Sequence, residues 1–190
     1  WVRFTTALTR HEAPALLDLD VGAGRSRLLD IGGNSGEFAR QACERHPELR
    51  ATVVDLPGVC AIGRAWVGDS PAADRIAFLA RDALTRPLPK SDWVNFKSML
   101  HDWPDPAAEH LLARARDCLA PGGQVVIFER SAEVPADALL SYAFAPMLPF
   151  LHGFRDARWY VDRLTGLGLR DVEVRSIPLD SVFLVIRARA

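Results

Sequence analysis

Leu28-Leu29-Asp30-Ile31-Gly32-Gly33-Asn34-Ser35-Gly36 decides the fold: an apolar run reaches an acid and then breaks into a glycine-rich turn. A short apolar run bounded by turn residues reads as a buried strand. Glycine takes positive φ without strain and lets a ligand approach the backbone, and asparagine tolerates the left-handed region better than most residues. Residues 36–46 follow as a helix, so the stretch predicts strand, turn, helix. The same alternation continues downstream. Strands are predicted at 51–54, stopping at Asp55, and at 76–80, 93–96 and 124–128, with a helix at 58–67. Another helix is expected to start at Asp105 as its cap, with Pro106 in the first turn, and to end at Pro121-Gly122-Gly123. A helical region is expected around 136–151, interrupted by Pro146 and Pro149, and a further helix at 157–167. Residues 172–177 and 182–186 read as a closing antiparallel pair. Short apolar runs alternating with amphipathic stretches point to β-α-β units. The expected fold is α/β: a doubly wound, seven-stranded, mostly parallel Rossmann-like sheet with a C-terminal antiparallel hairpin, in one domain over residues 1–190.

Composition narrows the class. The 190 residues are 49% hydrophobic and 25% charged, with a net charge of −1, as in a folded globular domain. No basic block is present, which argues against a nucleic-acid partner. Lys90 and Lys97 are the only lysines, and the arginine preference reads as the codon bias of a GC-rich bacterial genome. Cys43, Cys60 and Cys118 are odd in number and widely spaced. No zinc or other metal site and no disulfide framework is expected, which suits a reducing cytoplasm. No apolar run approaches 18 residues, so no membrane span is expected.

In doubly wound sheets, ligands bind beyond the carboxyl ends of the strands. Asp30, Gly32, Gly33 and Ser35 sit at the end of the first strand, and the following helix offers free N–H groups to a carboxylate. Asp55 ends the second strand 19 residues beyond Gly36, where a carboxylate can accept from ribose hydroxyls. Asp82, after the third strand, can accept from an adenine amino group; as a solvated turn acid beside Arg81 it would need no ligand at all. A turn of this kind serves NAD, FAD or a plain tight connection as well. However, Gly32-Gly33-Asn34-Ser35-Gly36 lacks the G-x-G-x-x-G pattern of a dinucleotide site. S-adenosylmethionine (SAM) carries a sulfonium cation and no phosphate, and Asp30 suits that charge.

The stretch Phe96-Lys97-Ser98-Met99-Leu100-His101-Asp102-Trp103-Pro104-Asp105, together with the glycine turn and Val54-Asp55-Leu56-Pro57, resembles the SAM-dependent O-methyltransferases of the plant caffeate type and their bacterial natural-product relatives. The resemblance runs from about Phe4 to Arg187. It implies SAM as cofactor and methyl transfer to a hydroxyl of a small, phenolic acceptor. It also implies His101 as general base, Lys97 in contact with the cofactor, Trp103 packed on its adenine, and Leu56 and Ala83 flanking that adenine. The chemistry agrees. A phenol has a pKa near ~10 and is little ionised at neutral pH, whereas an imidazole there is mostly neutral and can take the proton. Glu129, ending the fifth strand, is expected to orient the base, although an ion pair with Arg130 or another arginine is the alternative.

Two departures stand out. Relatives carry a second acid in a Glu-Arg-Thr-like stretch before the last long helix. Here the stretch is Gly153-Phe154-Arg155-Asp156, with Phe154 at the acid position. Relatives also carry an N-terminal dimerisation domain that this chain lacks. With Trp1 rather than Met at the start, the expectation is a catalytic half of a longer homodimeric protein rather than a natural minimal version. Met147, Phe150, Leu151 and Phe154 are read as the wall of a pocket for a flat acceptor or as ordinary core, and His152 as a reserve acid–base group. The competing functions are N- or C-methyl transfer, a silent SAM-binding domain, and an NAD-dependent oxidoreductase.

Overall fold

The computed structural model describes residues 1–133 and 145–190. Seven strands form one sheet: β1 (Arg27–Ile31), β2 (Arg50–Asp55), β3 (Ile76–Ala80), β4 (Ser91–Lys97), β5 (Leu119–Arg130), β6 (Arg170–Pro178) and β7 (Val182–Arg189). Their order is β3-β2-β1-β4-β5-β7-β6. The first five run parallel, and β7 pairs antiparallel with both β5 and β6. Strand order reverses beside β1, so the crevice above β1 and β4 is where a ligand site is expected.

Five α-helices cover the faces: α1 (Val2–Leu17), α2 (Glu37–Arg45), α3 (Pro57–Val67), α4 (Asp105–Cys118) and α5 (Ala157–Gly166). The period-two alternation of the strands divides the core. Leu29, Val94, Phe96 and Ile127 face α4 and α5, while Leu28, Trp93, Val126 and Phe128 face α1 and α2. Side chains of one strand point to opposite faces in turn, so Lys97 and Arg130 turn toward α1, and Glu129 turns the other way. This parity governs the site.

Several expectations need correction. Helix α1 has no counterpart in the sequence reading. Its buried face is Thr6, Glu12, Ala13, Leu16 and Leu17, a helical spacing masked by two polar members. Asp105 does not cap α4: no side-chain cap bond forms, and its carboxylate accepts instead from Arg155 Nε at 2.9 Å and Trp159 Nε1 at 3.1 Å. Pro121-Gly122-Gly123 does not end that helix, which stops at Cys118; the stretch lies within β5 as an irregularity between the Ser91–Leu119 and Trp93–Gln124 pairs. Of the helical region expected at 136–151, residues 136–144 lie outside the described residues. The remainder belongs to a 3-10 helix, Ala145–Gly153, as suits a segment with Pro149 inside it.

Candidate active site

A cavity of about 690 Å³ opens at the carboxyl ends of β1, β2 and β4. The glycine turn forms its floor by local backbone geometry. Gly32 and Asn34 adopt positive φ, 69° and 54°. A Cβ on Gly33 would strike Asp30 Oδ2, and one on Gly32 would strike Met99, so both positions pack too closely against neighbouring side chains for any residue but glycine. Asp30 is buried; Asn95 Nδ2 donates to its Oδ1 at 2.8 Å, and Oδ2 has no partner among the described residues. Burial pushes its pKa up to about 7. Asp55 accepts from Asn34 N at 2.9 Å and from Leu56 N at 2.7 Å. Burial raises its pKa, and these two amides pull the other way.

Asp30, Gly32, Gly33, Asp55, Leu56, Asp82, Ala83, Lys97, His101 and Trp103 all line this one cavity. Two expected residues do not. Ser35 is buried away from it, and its hydroxyl accepts from Thr6 Oγ1 at 2.7 Å, tying the turn to α1. Glu129 lies behind the wall, bonded to His101, which lines the cavity. Asp82 is exposed, and both its oxygens already serve its own turn, accepting from Leu84 N at 2.8 Å and Thr85 Oγ1 at 3.0 Å.

His101 sits in a 3-10 turn, Leu100–Asp102, between β4 and α4. Its Nδ1 lies 2.7 Å from Glu129 Oε2. The other carboxylate oxygen, Oε1, accepts from Met99 N at 2.7 Å and Leu100 N at 2.6 Å. Burial alone would raise the pKa of Glu129, but the imidazole and these two amides outweigh it and hold the group below its ordinary value. A carboxylate only accepts, so Nδ1 carries the hydrogen and Nε2 keeps its lone pair when the ring is neutral. Nε2 is 3.5 Å from Asp102 Oδ1. Burial opposes a charged imidazole, yet the charge of Glu129, its hydrogen bond and Asp102 prevail, and the pKa of His101 stands above 6.5.

Phe154 sets the edge of its ring against His101, with centroids 5.3 Å apart, and Phe150 does so at 5.5 Å. The imidazole is thus held by one acid behind it and by aromatics where a second acid was looked for. Met147 and Phe150 line the cavity; Leu151 and His152 are exposed and Phe154 is buried, and none of these three lines it.

Sequence reasoning missed the contribution of α1. Thr5 and Thr9 line the cavity, and Thr5 Oγ1 accepts from Asn34 Nδ2 at 2.8 Å. Buried Glu12 bonds the Lys97 ammonium with one oxygen and Arg130 Nη2, at 2.6 Å, with the other. Arg130 also pairs with Asp180 at 3.0 Å and lies over the Phe183 ring. The expected alternative for Glu129, a pair with Arg130, therefore fails on strand parity: neighbours on a strand point to opposite faces. Burial lowers the pKa of Lys97, against the pull of Glu12. Strand alternation could have placed Lys97 and Arg130 on one face; no sequence signal connects them to Glu12.

A doubly wound sheet, a glycine turn and a carboxylate-held histidine on one cavity define an α/β domain built for small-ligand chemistry. A model of the O-methyltransferase domain matches residues 9–150, and the chain belongs to that family. Two relatives show the range of named activities. The 3-hydroxy-5-methyl-1-naphthoate 3-O-methyltransferase of Streptomyces sahachiroi is 37% identical over 125 residues, 65% of this chain and 35% of that protein. The N,N-dimethyltransferase OxyT of Streptomyces rimosus is 35% identical over 107 residues, 56% of this chain and 31% of that protein. The crystal structure of human N-acetylserotonin methyltransferase in complex with SAM matches with a TM-score of 0.80 at 21% identity, over 99% of this chain and 54% of that one. The fold is that of these methyltransferases. The chain spans about a third of the length of the two relatives and about half of the human chain.

Proposed function

We propose that the cavity binds SAM beside a small natural-product-type acceptor and that the domain transfers the methyl group to an acceptor hydroxyl, His101 acting as general base. The observation that carries this reading is the His101–Glu129 pair on the wall of the glycine-turn cavity. Bound SAM would supply an electrophilic methyl group. The residues fit it: Gly32 and Gly33 line the cavity with bare backbone, Asp30 offers an unpartnered buried oxygen, and Asp55 stands fixed by two amides for a ribose. Leu56, Ala83 and Trp103 offer apolar surface for a flat base, and Lys97 a cation beside it.

The chain's own part in the chemistry follows from its geometry. Glu129 fixes the tautomer of His101, so Nε2 can take the hydroxyl proton as attack proceeds; such a base contributes roughly 10²–10⁴-fold. Phe150, on the cavity wall, suits a flat, aromatic acceptor, while buried Phe154 packs against the imidazole away from the cavity. A phenol fits best, because its proton is within reach of an imidazole. Since the OxyT relative is named an N,N-dimethyltransferase, an amine acceptor is the second reading.

Calorimetry with SAM and with NAD, followed by transfer assays on phenols and aromatic amines, tests this. SAM is expected to bind and NAD not. His101→Ala should keep SAM affinity and lose phenol methylation by roughly 10²–10⁴-fold. Equal rates in His101→Ala and wild type would remove His101 as the base, and NAD binding without SAM binding would remove the methyltransferase reading altogether.

A further inference from the structure

We infer that Arg155 is a positioning residue for the methyl-transfer site, clamping the turn that carries His101 to the strand end that carries Glu129. The inference rests on reading His101 as the base. It comes from a buried arginine that touches neither the cavity nor the pair itself: its guanidinium bonds the backbone on either side of His101, and its main chain bonds the residues that follow Glu129.

The side chain of Arg155 is buried, 6% exposed. One nitrogen, Nη1, donates to Leu100 O at 2.9 Å and Gly153 O at 3.1 Å. Another, Nη2, donates to Trp103 O at 2.6 Å. Leu100 and Trp103 bracket His101, so the guanidinium spans the whole turn. Nε donates to Asp105 Oδ1 at 2.9 Å at the start of α4, and the group lies 4.4 Å from the Trp159 ring centre. The planar fork of arginine reaches these four acceptors together; an ammonium is a point charge without that geometry.

The backbone of Arg155 makes the other connection. It forms a parallel bridge with Ser131, and Ala132 N donates to Arg155 O at 3.1 Å. Those residues follow directly on the Glu129 end of β5. Gly153 completes the contact, since a Cβ there would collide with the His101 carbonyl. One three-residue segment thus joins both partners of the His101–Glu129 hydrogen bond by main-chain contacts. In this chain the segment carries Phe154 rather than an acid next to the imidazole. The acidic support comes from Glu129 behind the ring, and Arg155 holds the distance between them. A shift of about 1 Å at a reacting group can cost roughly 10²-fold in rate.

The test compares wild type, Arg155→Met and Arg155→Lys of this chain by four measurements. These are kcat, acceptor KM, SAM affinity by calorimetry, and the proton NMR signal of the His101 Nδ1–H bonded to Glu129, assigned with His101→Ala. Arg155→Met is expected to lower kcat by roughly 10²-fold, with KM and SAM affinity within about twofold. It should shift or broaden away the Nδ1–H signal, and added guanidinium should restore part of both. Arg155→Lys should show the same loss in milder form, and it keeps the test decisive if the Met variant does not fold. A folded variant with wild-type kcat and an unmoved Nδ1–H signal overturns the inference, as does lowered thermal stability with both of those unchanged. If His101→Ala proves fully active, the base reading fails, and the NMR signal still reports whether Arg155 sets the His101–Glu129 bond.

Discussion

The two halves of the cavity are built in opposite ways. The glycine-turn half, Asp30 to Asp55, takes its shape from neighbouring backbone: three positive-φ residues, glycines packed too closely for a Cβ and a carboxylate held by amides of the adjoining loops. The histidine half gathers His101, Glu129 and Arg155 from three distant segments and fixes them with buried charge-assisted hydrogen bonds. The first half is a matter of steric permission and the second of electrostatic pairing. Damage to the first should therefore appear in ligand affinity, and damage to the second in rate and its pH dependence.

The largest expected effect lies where the two halves meet. Helix α1 touches the turn through Thr5 and Thr6 and the strand ends through Glu12. Glu12→Ala leaves the Lys97 and Arg130 cations buried without their shared carboxylate. Removing one partner of a buried pair costs about 3–5 kcal/mol, so chemical denaturation should show a loss of that order. A loss under ~1 kcal/mol would mean that α1 does not bind the halves together.

Glu129→Gln is expected to lower kcat by roughly 10–100-fold while leaving SAM affinity unchanged. The pH profile carries the sharper reading. Glu129 and, more weakly, Asp102 face His101 and raise its pKa above 6.5, with Arg130 opposing. Only the neutral ring accepts a proton, so wild-type kcat/KM should fall as pH drops through that raised value. Replacing the carboxylate by an amide removes the main raising charge, so the acid limb should move to lower pH. An acid limb that stays in place would separate it from His101.

Asp55→Asn tests the other half. A hydrogen bond to a charged group is worth about 1.5–3 kcal/mol, so SAM should bind roughly tenfold or more weakly, measured by calorimetry, with the acid limb unmoved. A displaced acid limb would show that the halves are not separable. The smallest effect is expected at Asp82→Asn. The exposed carboxylate already satisfies Leu84 N and Thr85 Oγ1, so SAM affinity should change by less than about 1 kcal/mol; a larger loss would make Asp82 a true cofactor contact.

What could be read before any coordinates follows the same division. The strand-turn-helix at Asp30–Gly36, Asp55 at the end of the next strand and the closing β6–β7 pair were legible, because period-two burial and glycine turns are local properties of the chain. Asp105 misled, since a good capping residue was taken by Arg155, just before α5, and by Trp159 within it. Helix α1 stayed hidden because Thr6 and Glu12 stand where apolar residues would mark its buried face.

Sequence alone thus determined the doubly wound class and the glycine turn, and the family resemblance added the histidine and glutamate worth testing. Tertiary structure decided how they are used. It put Glu129 on His101 and Arg130 on Glu12, gave Ser35 to Thr6 rather than to the cavity, and brought Phe154 and Arg155 to the His101 turn. The physical reason is range. Backbone conformation follows from residues a few positions apart, whereas a buried charge finds its partner wherever packing brings one, and no spacing in the chain records that meeting.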